Sequence, residues 1–197
     1  MKFNIIVCGV GGQGSILSSR IIADAAITKG YEVRVGETFG AAMRGGSVSS
    51  HIKIGDIHSP LIPKNKADIV LSMEPLECLR QSVEYLSPEG IVITNTKPLY
   101  PVDVNIGISN YPTLDQVKEN LLKLGSEVYF IDALDLAMKA GSEKAANVVI
   151  IGALSALEKL PVRREDLLSA INERVPKKTI DINIKAFDLG YEAMMKQ

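Results

Sequence analysis

Hydrophobic residues along this chain form short continuous runs that are separated by stretches with a longer period. Short continuous apolar runs are typical of strands buried on both faces of a sheet. Such runs occur at residues 3–8, 67–73, 91–95 and 128–131. Two further segments also predict strands, residues 31–35 and 48–54. In the second of these, alternation puts Val48 and Ile52 on one face and His51 on the other.

Between the strands, apolar residues recur at helical spacing. Leu17, Ile21 and Ala25 predict a helix directly after the first strand, and Pro75 opens another, since proline is tolerated at the first helical position. Three more helical patterns follow, at residues 134–160, 167–171 and 180–191. The second half of the first of these is apolar all round, which predicts a buried helix. Residues 179–184 also alternate like a strand, and we expect a helix there.

Strands that alternate with helices predict an α/β protein. We expect a Rossmann-like, mostly parallel sheet with helices on both faces and a helical C-terminal segment, in a single domain over residues 1–197. The first strand, the helix after it and the second strand would form one right-handed βαβ unit.

Composition excludes several classes of function. The chain has 22 Lys and Arg against 23 Asp and Glu, a formal net charge of −1, which argues against non-specific nucleic-acid binding. Its longest apolar run, residues 148–154, is far shorter than the roughly 18 residues that span a bilayer. Cys8 and Cys78 are too few for a four-thiolate iron–sulfur cluster. Few cysteines and no signal peptide predict a cytoplasmic protein without membrane contact.

A first glycine loop, residues 9–15, follows the first strand. Gly9, Gly11 and Gly14 match the G-x-G-x-x-G pattern. In such loops the first glycine makes the tight turn, the second lets the backbone approach a phosphate, and the third lets the helix pack on the strand. Together with Gly12 and Gln13 they are candidate cofactor-binding residues, because the helix N-terminus attracts anions. The alternative is that the glycines merely permit the turn.

The same motif raises an alternative function, that of an NAD(P)-dependent dehydrogenase. Such enzymes carry an acidic residue about 20 positions after the glycines, and Glu37 stands at about that distance. Against this alternative, we find no set of nucleophile, base and orienting residue in the sequence.

A second glycine loop lies within residues 36–47, for which we expect irregular structure. Its candidate cofactor-binding residues are Arg44, Gly45, Gly46 and Ser47. An arginine flanked by glycines can present a planar fork to a phosphate or carboxylate. The alternative is a solvated arginine on a surface loop.

Other polar residues have simpler interpretations. We expect His51 to be an exposed strand residue and His58 an exposed loop residue, and too few ligands surround them for a metal. Glu74 and Glu77 would interact favourably with a helix dipole. Cys8 would serve as a small core residue.

Several segments together resemble a known family. They are "FNIIVCGVGGQG", "GAAMRGGSVSSHIKIGDIHSPLIP", "ADIVLSMEPLECLR", "EKAANVVIIGAL" and "VPKKTIDINIKAFDLGYEA". This set resembles the gamma module of the 2-oxoacid:ferredoxin oxidoreductases across nearly the whole chain. The length and the segment "SPLIP" most resemble the indolepyruvate branch of that family, whose equivalent chain is a beta subunit. Met43, before the arginine, departs from both the pyruvate and the indolepyruvate patterns.

The resemblance implies a two-subunit enzyme that oxidatively decarboxylates a 2-oxo acid, such as indolepyruvate or another arylpyruvate, to an acyl-CoA while reducing ferredoxin. A larger partner would carry thiamine diphosphate and iron–sulfur clusters and would pass electrons to ferredoxin. This chain would contribute no catalytic residue or metal ligand. It would complete the active-site cavity and offer a possible coenzyme A contact through its glycine loops. A ligand-free structural subunit is the remaining alternative.

Overall fold

The computed structural model describes residues 2–40, 45–124 and 127–197. Within these ranges the strands are β1 (Lys2–Val10), β2 (Val33–Phe39), β3 (Ser47–Gly55), β4 (Ala67–Ser72), β5 (Leu86–Asn95) and β6 (Glu127–Ile131). The helices are α1 (Ser15–Thr28), α2 (Pro75–Tyr85), α3 (Val102–Asn105), α4 (Leu114–Leu121), α5 (Ala133–Ala140), α6 (Ala146–Ala156), α7 (Arg164–Arg174) and α8 (Ile180–Met194). Single 3₁₀ turns precede α6 and α8. None of these helices is long and apolar enough to cross a membrane.

The strands form one sheet in the order β2-β3-β1-β4-β5-β6. Strands β1, β4, β5 and β6 are parallel neighbours, whereas β3 pairs antiparallel with both β1 and β2. The expected mostly parallel α/β sheet is therefore confirmed. Helix α1 connects β1 to β2, which run parallel in the same sheet, as expected of a βαβ unit. Strand β3 lies between them, so the two strands are not direct neighbours.

Residues on either side of the second glycine loop belong to the sheet. Thr38 pairs with Ser49, and Phe39 pairs with Val48. The expectation of irregular structure from residue 36 was wrong, because pairing with β3 extends β2 to Phe39. Only a short connection, most of it in residues 41–44 outside the described ranges, separates the two strands.

The helices cover both faces of the sheet. Along β1, Ile5 and Val7 pack into a large core with α1 and α5 to α8. Ile6 and Cys8 point to the other face and pack into a smaller core with α2 and α4. This alternation is the period of two that a strand requires.

In the helical C-terminal half, the structure shows two features that the sequence pattern did not predict. The helix expected over residues 134–160 is two helices, because Gly141 ends α5 with a positive φ of 120°. The apolar second half is buried as α6, as expected. Helices α6 and α8 cross so closely that a Cβ on Gly152 or Gly190 would overlap the backbone of the other helix.

Strand β3 is buried on both faces, which overturns the expectation of an exposed His51. Only 1% of His51 is exposed, and its Nδ1 accepts a hydrogen bond from the Ile62 amide at 3.2 Å. Its ring packs edge-on against Tyr85. Burial lowers the pKa of His51 below its ordinary value. His58 lies in an exposed loop, as expected.

Candidate functional site

The candidate site lies at the carboxyl edge of the four parallel strands, where open α/β sheets bind ligands. The first glycine loop leaves β1 at this edge. Met73 follows β4, Asn95 ends β5, and Asp132 follows β6. Their backbone and side-chain groups therefore meet although they come from distant parts of the chain.

A hydrogen-bond network fixes the floor of the site. The carbonyl oxygen of Met73 accepts from Gln13 Nε2 at 3.3 Å and from Asn95 Nδ2 at 3.2 Å. Gln13 Oε1 in turn accepts from the Val10 amide at 2.8 Å. Asn95 Oδ1 accepts from the Ala133 amide at 3.1 Å. The two amide side chains thus tie together the ends of β1, β4 and β5 and the start of α5.

A cavity of about 550 Å³ opens above this floor, and we call it the large cavity. Gly12, Gln13 and Gly14 form one side of it. Its other lining is mainly apolar and includes Leu17, Leu99, Leu134 and Ile150. The charged residues that line it are Lys97, Lys144 and Glu143. A volume of several hundred Å³ with mostly apolar walls is typical of small-molecule sites.

The N-terminus of α1 lies beside the large cavity. Gly14 is its N-cap, with a φ of 85°, and within the described residues no side chain caps the helix. An uncapped helix N-terminus leaves amide N–H groups and the positive end of the helix dipole for an anion. This end of α1 therefore fits a phosphate or carboxylate.

Position 14 requires glycine because of a close packing contact, but the contact is with a different element from the one expected. A Cβ at Gly14 would lie 2.9 Å from Asn147 Cγ, so the residue packed against it is an α6 side chain rather than a strand. At Gly9 a Cβ would lie 2.8 Å from Gln13 Oε1. The third and first glycines of the motif thus make room for two amide side chains.

Gly11 joins the two glycine loops. Its amide donates to Gly46 O at 2.9 Å, and its carbonyl accepts from the Gly45 amide at 3.3 Å. In this structure the backbone of Gly11 therefore makes a loop-to-loop contact, and its expected approach to a phosphate stays a prediction. The two loops therefore meet, and Gly12, Gln13 and Gly14 of the first loop line the large cavity.

A small cavity of about 250 Å³ lies under the second loop and is lined by Gly45 and Ser47. Ser47 Oγ donates to Glu77 Oε2 at 2.5 Å, and the Arg80 guanidinium donates to Glu77 Oε1 at 2.5 Å. The carboxylate of Glu77 therefore anchors the end of the second loop. Arg44 lies outside the described residues.

Glu74 connects the small cavity to the chain after β5. Its carboxylate caps α2 by accepting from the Glu77 amide at 2.8 Å, and it also accepts from the Leu99 amide at 3.4 Å and from the Tyr111 hydroxyl. Burial raises the pKa of the Glu74 carboxyl, although these hydrogen bonds act in the opposite direction. The expected helix-dipole interaction is present, but Glu74 also holds two other segments.

Both cysteines are buried free thiols. Burial raises the pKa of Cys8 well above its ordinary value and raises that of Cys78 to about 12. Within the described residues, no three His, Cys, Asp or Glu side chains are grouped so as to hold a metal ion.

Sequence reasoning missed three polar residues of the site, namely Asn95, Asn147 and Tyr111. Asn95 had a usable signal, because it is a polar residue at the carboxyl end of a buried strand. Asn147 directly precedes the apolar residues of α6, where a polar side chain needs a partner. Tyr111 lies between β5 and α4, outside every segment for which the sequence pattern predicts a strand or a helix.

The position of Glu37 gives no support to a dinucleotide site. Glu37 lies on β2, and β3 separates it from β1 and the first glycine loop. Its carboxylate lies 4.0 Å from the Arg20 guanidinium. In dinucleotide-binding sheets the corresponding strand is the direct neighbour of the first.

Comparison with known proteins identifies the family. Residues 4–193 match the family described as pyruvate ferredoxin/flavodoxin oxidoreductase, and the chain belongs to it. It is 43% identical to indolepyruvate oxidoreductase subunit IorB of Thermococcus kodakarensis over 98% of this chain and 96% of that one. It is 42% identical to the IorB subunit of Archaeoglobus fulgidus over 97% and 94%. A third relative, 2-oxoglutarate synthase subunit KorC of Methanocaldococcus jannaschii, is 28% identical over 98% and 94%.

Solved structures share the fold. The gamma subunit of a keto/oxoacid ferredoxin oxidoreductase from Geobacter sulfurreducens superposes with a TM-score of 0.73 at 26% identity, covering 99% of both chains. A 2-oxoglutarate:ferredoxin oxidoreductase from Magnetococcus marinus, with 2-oxoglutarate, coenzyme A and succinyl-CoA bound, shares the fold at a TM-score of 0.74 and 21% identity. This chain covers only 31% of that longer chain. The expectation of a 2-oxoacid:ferredoxin oxidoreductase subunit is confirmed.

Proposed function

We propose that this chain is the small subunit of an indolepyruvate:ferredoxin oxidoreductase. The relatives above 40% identity are named for indolepyruvate, whereas the 2-oxoglutarate synthase subunit is 28% identical. The enzyme would oxidise indolepyruvate or a related arylpyruvate, release carbon dioxide, form the acyl-CoA and reduce ferredoxin.

The larger partner subunit would hold the thiamine diphosphate and iron–sulfur clusters and would deliver electrons to ferredoxin. The side chains of this chain do not fit a cluster, because its two thiols are buried in the core beside α2 and have raised pKa values. When bound to the partner, thiamine diphosphate supplies the carbanion chemistry of decarboxylation. Two buried free thiols also agree with a reducing, cytoplasmic location.

The large cavity is the observation that supports a ligand role for this chain. It combines the uncapped N-terminus of α1, the ammonium groups of Lys97 and Lys144 and mainly apolar walls. A coenzyme A molecule carries phosphates and a pantetheine arm with apolar methyl and methylene groups, and this chemistry fits that combination. Lys97 also lies 3.6 Å from Asp132, so Lys144 is the better candidate for a phosphate contact.

The residues of this chain would then act by binding and by excluding water. Gln13 and Asn95 hold the floor rigid, and the apolar walls keep water away from a reactive intermediate on the partner's side. Arg44, Gly45, Gly46 and Ser47 would contribute from the second loop, through a phosphate or through the partner.

Co-expression with the large subunit and steady-state kinetics test this function. We expect the complex to oxidise indolepyruvate with a higher kcat/KM than pyruvate or 2-oxoglutarate, and the isolated chain to be inactive. Preference for pyruvate or 2-oxoglutarate would reassign the substrate. Turnover by the isolated chain would contradict the division of labour.

Lys144→Gln tests the coenzyme A contact. We expect the KM for coenzyme A to rise about tenfold, equivalent to about 1.4 kcal/mol, with the KM for indolepyruvate unchanged. Lys178→Gln, on the 3₁₀ turn before α8 and outside the large cavity, is the matched control. Equal KM values for coenzyme A in both variants would remove Lys144 from the site.

A further inference from the structure

An exposed apolar segment borders the candidate site. We call residues 98–111 the apolar segment. Five of its large hydrophobic side chains are between 45% and 74% exposed: Leu99, Tyr100, Val102, Ile106 and Ile108. Helix α3, within this segment, buries none of its residues. A concentration of exposed hydrophobic side chains on one short segment marks an interaction surface.

The composition of the segment indicates the chemistry of its partner. Asp103 is its only charged residue. The central part of a protein–protein interface is depleted of charge and enriched in aromatic and aliphatic side chains. A nucleic acid or an anionic surface would require basic residues, which the segment lacks. The partner surface must therefore be an apolar protein surface.

The segment is held in place by contacts within this chain. Glu74 accepts hydrogen bonds from the Leu99 amide and the Tyr111 hydroxyl at its two ends. The rings of Tyr100 and Tyr111 pack edge to face, with centroids 5.0 Å apart. Inside the segment, the Ile108 amide donates to Asp103 O at 2.8 Å. The hydrophobic side chains are thus presented on an ordered backbone, which lowers the entropic cost of binding.

The location of the segment identifies which protein fits. Leu99 lines both the large and the small cavity. On α5, Leu134 lines the large cavity and Met138 is exposed, so apolar surface continues past its rim. The partner that carries the thiamine diphosphate and iron–sulfur clusters must face these cavities. It must therefore cover their rim.

We propose that the apolar segment is the surface on which the large subunit of the same oxidoreductase docks, closing the large and small cavities. This inference rests on the proposed function, because the identity of the partner comes from that function. The relatives carry the name of a subunit, so a partner chain exists for them. A second copy of this chain would cover the same rim but would bring neither thiamine diphosphate nor an iron–sulfur cluster to the cavities.

Charge insertion at one exposed isoleucine tests the proposal. Ile106→Asp places a carboxylate on a side chain that is 61% exposed, where the free chain tolerates it. Ile27→Asp is the matched control, because Ile27 is 55% exposed near the end of α1, at the opposite edge of the sheet. Binding of each purified variant to the purified large subunit is measured by sedimentation or calorimetry, with melting temperature as the folding check.

We expect Ile106→Asp to weaken binding at least tenfold and Ile27→Asp to match the wild type, with both chains folded. If the wild type itself does not bind the large subunit, the proposed function fails. If the wild type and both variants bind equally, the docking surface is wrong and the proposed function stands. Self-association of the free chain that Ile106→Asp abolishes, with binding to the large subunit intact, would assign the surface to a second copy instead. If Ile106→Asp does not fold, Ile108→Asp provides the same test at a side chain that is 74% exposed.

Discussion

Asn147 and Gly14 are 133 positions apart and contact each other at the edge of the large cavity. Asn147 Nδ2 donates to the Gly14 carbonyl at 3.4 Å and to Ser18 Oγ at 3.3 Å. Because Gly14 has no Cβ, the asparagine side chain fits against the backbone of the first glycine loop. Helix α6 therefore sets the position of the loop that begins α1.

Gly14→Ala should destabilise the protein more than Gly30→Ala. Both glycines have nearly the same positive φ, 85° and 84°, so both alanines suffer the same backbone strain of about 1–2 kcal/mol. Only Gly14 adds the contact with Asn147, since nothing lies within 4 Å of a Cβ at Gly30. Urea unfolding of the two variants measures the difference.

A double-mutant cycle identifies the source of that difference. Asn147→Ala removes the atoms nearest to the new methyl group, so its combination with Gly14→Ala should cost less than the sum of the single changes. The close contact with Asn147 would not affect stability if Gly14→Ala and Gly30→Ala lost equal free energy of unfolding, or if the effects in the cycle were strictly additive.

His51 should make the protein sensitive to mild acid. Its pKa is lowered by burial, so below about pH 6.5 the unfolded chain binds a proton that the folded chain resists. The free energy of unfolding therefore falls as the pH drops from about 6.5 towards the lowered pKa. We expect His51→Asn, which retains an acceptor for the Ile62 amide, to reduce this slope.

His58→Asn is the control for that experiment, because His58 is exposed. Comparing slopes between variants cancels the contribution of Glu74, whose raised pKa acts with the opposite sign. Unfolding curves at several pH values between 5 and 7 measure the slopes. If His51→Asn kept the wild-type dependence of the free energy of unfolding on pH and His58→Asn lost it, His51 would not be the cause of the acid sensitivity.

The strands and the first glycine loop were predictable because their signals are local. An apolar run followed by spaced glycines specifies a buried strand, a turn and a helix within about 25 residues. The place of β3 was not predictable, because strand order depends on pairing between distant segments. The burial of His51 was not predictable either, because the groups that contact its side chain, the Ile62 amide and the Tyr85 ring, come from a loop and from α2.

The hydrogen bonds inside the site also could not be predicted from local sequence patterns. Gln13 was a candidate from the motif, but its partner Met73 O lies 60 positions away, and no local pattern indicates it. Glu74 and Glu77 were correctly placed at a helix start, whereas their links to Tyr111 and Ser47 arise only in the folded chain. The single-domain organisation of residues 1–197 stays a prediction.

The isolated chain should not bind NAD or NADH. A dinucleotide site needs an acidic residue on the strand next to β1, and β3 occupies that place while Glu37 lies one strand further away. Calorimetric titration with both nucleotides measures this, with the wild-type melting temperature as evidence of a folded sample. A micromolar dissociation constant would favour the dehydrogenase alternative.

Tyr111→Phe should loosen the apolar segment by removing a hydrogen-bond donor to Glu74. Among the described residues, the Glu77 and Leu99 amides then remain as donors to the buried carboxylate, and we expect a loss of about 1–2 kcal/mol in the free energy of unfolding. Tyr129→Phe is the matched control: its hydroxyl donates to Glu127 at 2.7 Å, but that carboxylate is partly exposed and water can replace the donor.

The pH dependence of this loss separates the hydrogen bond from a packing defect. The Tyr111 hydroxyl lowers the pKa of Glu74, so its removal raises that pKa further. The folded variant then retains a proton over a range where the wild type has released it, and its relative stability decreases as the pH rises. The loss should therefore be largest near neutral pH and smaller in acid. Limited proteolysis should cut residues 98–111 faster in Tyr111→Phe than in Tyr129→Phe; a pH-independent loss with unchanged cleavage would mean that Glu74 does not hold the segment.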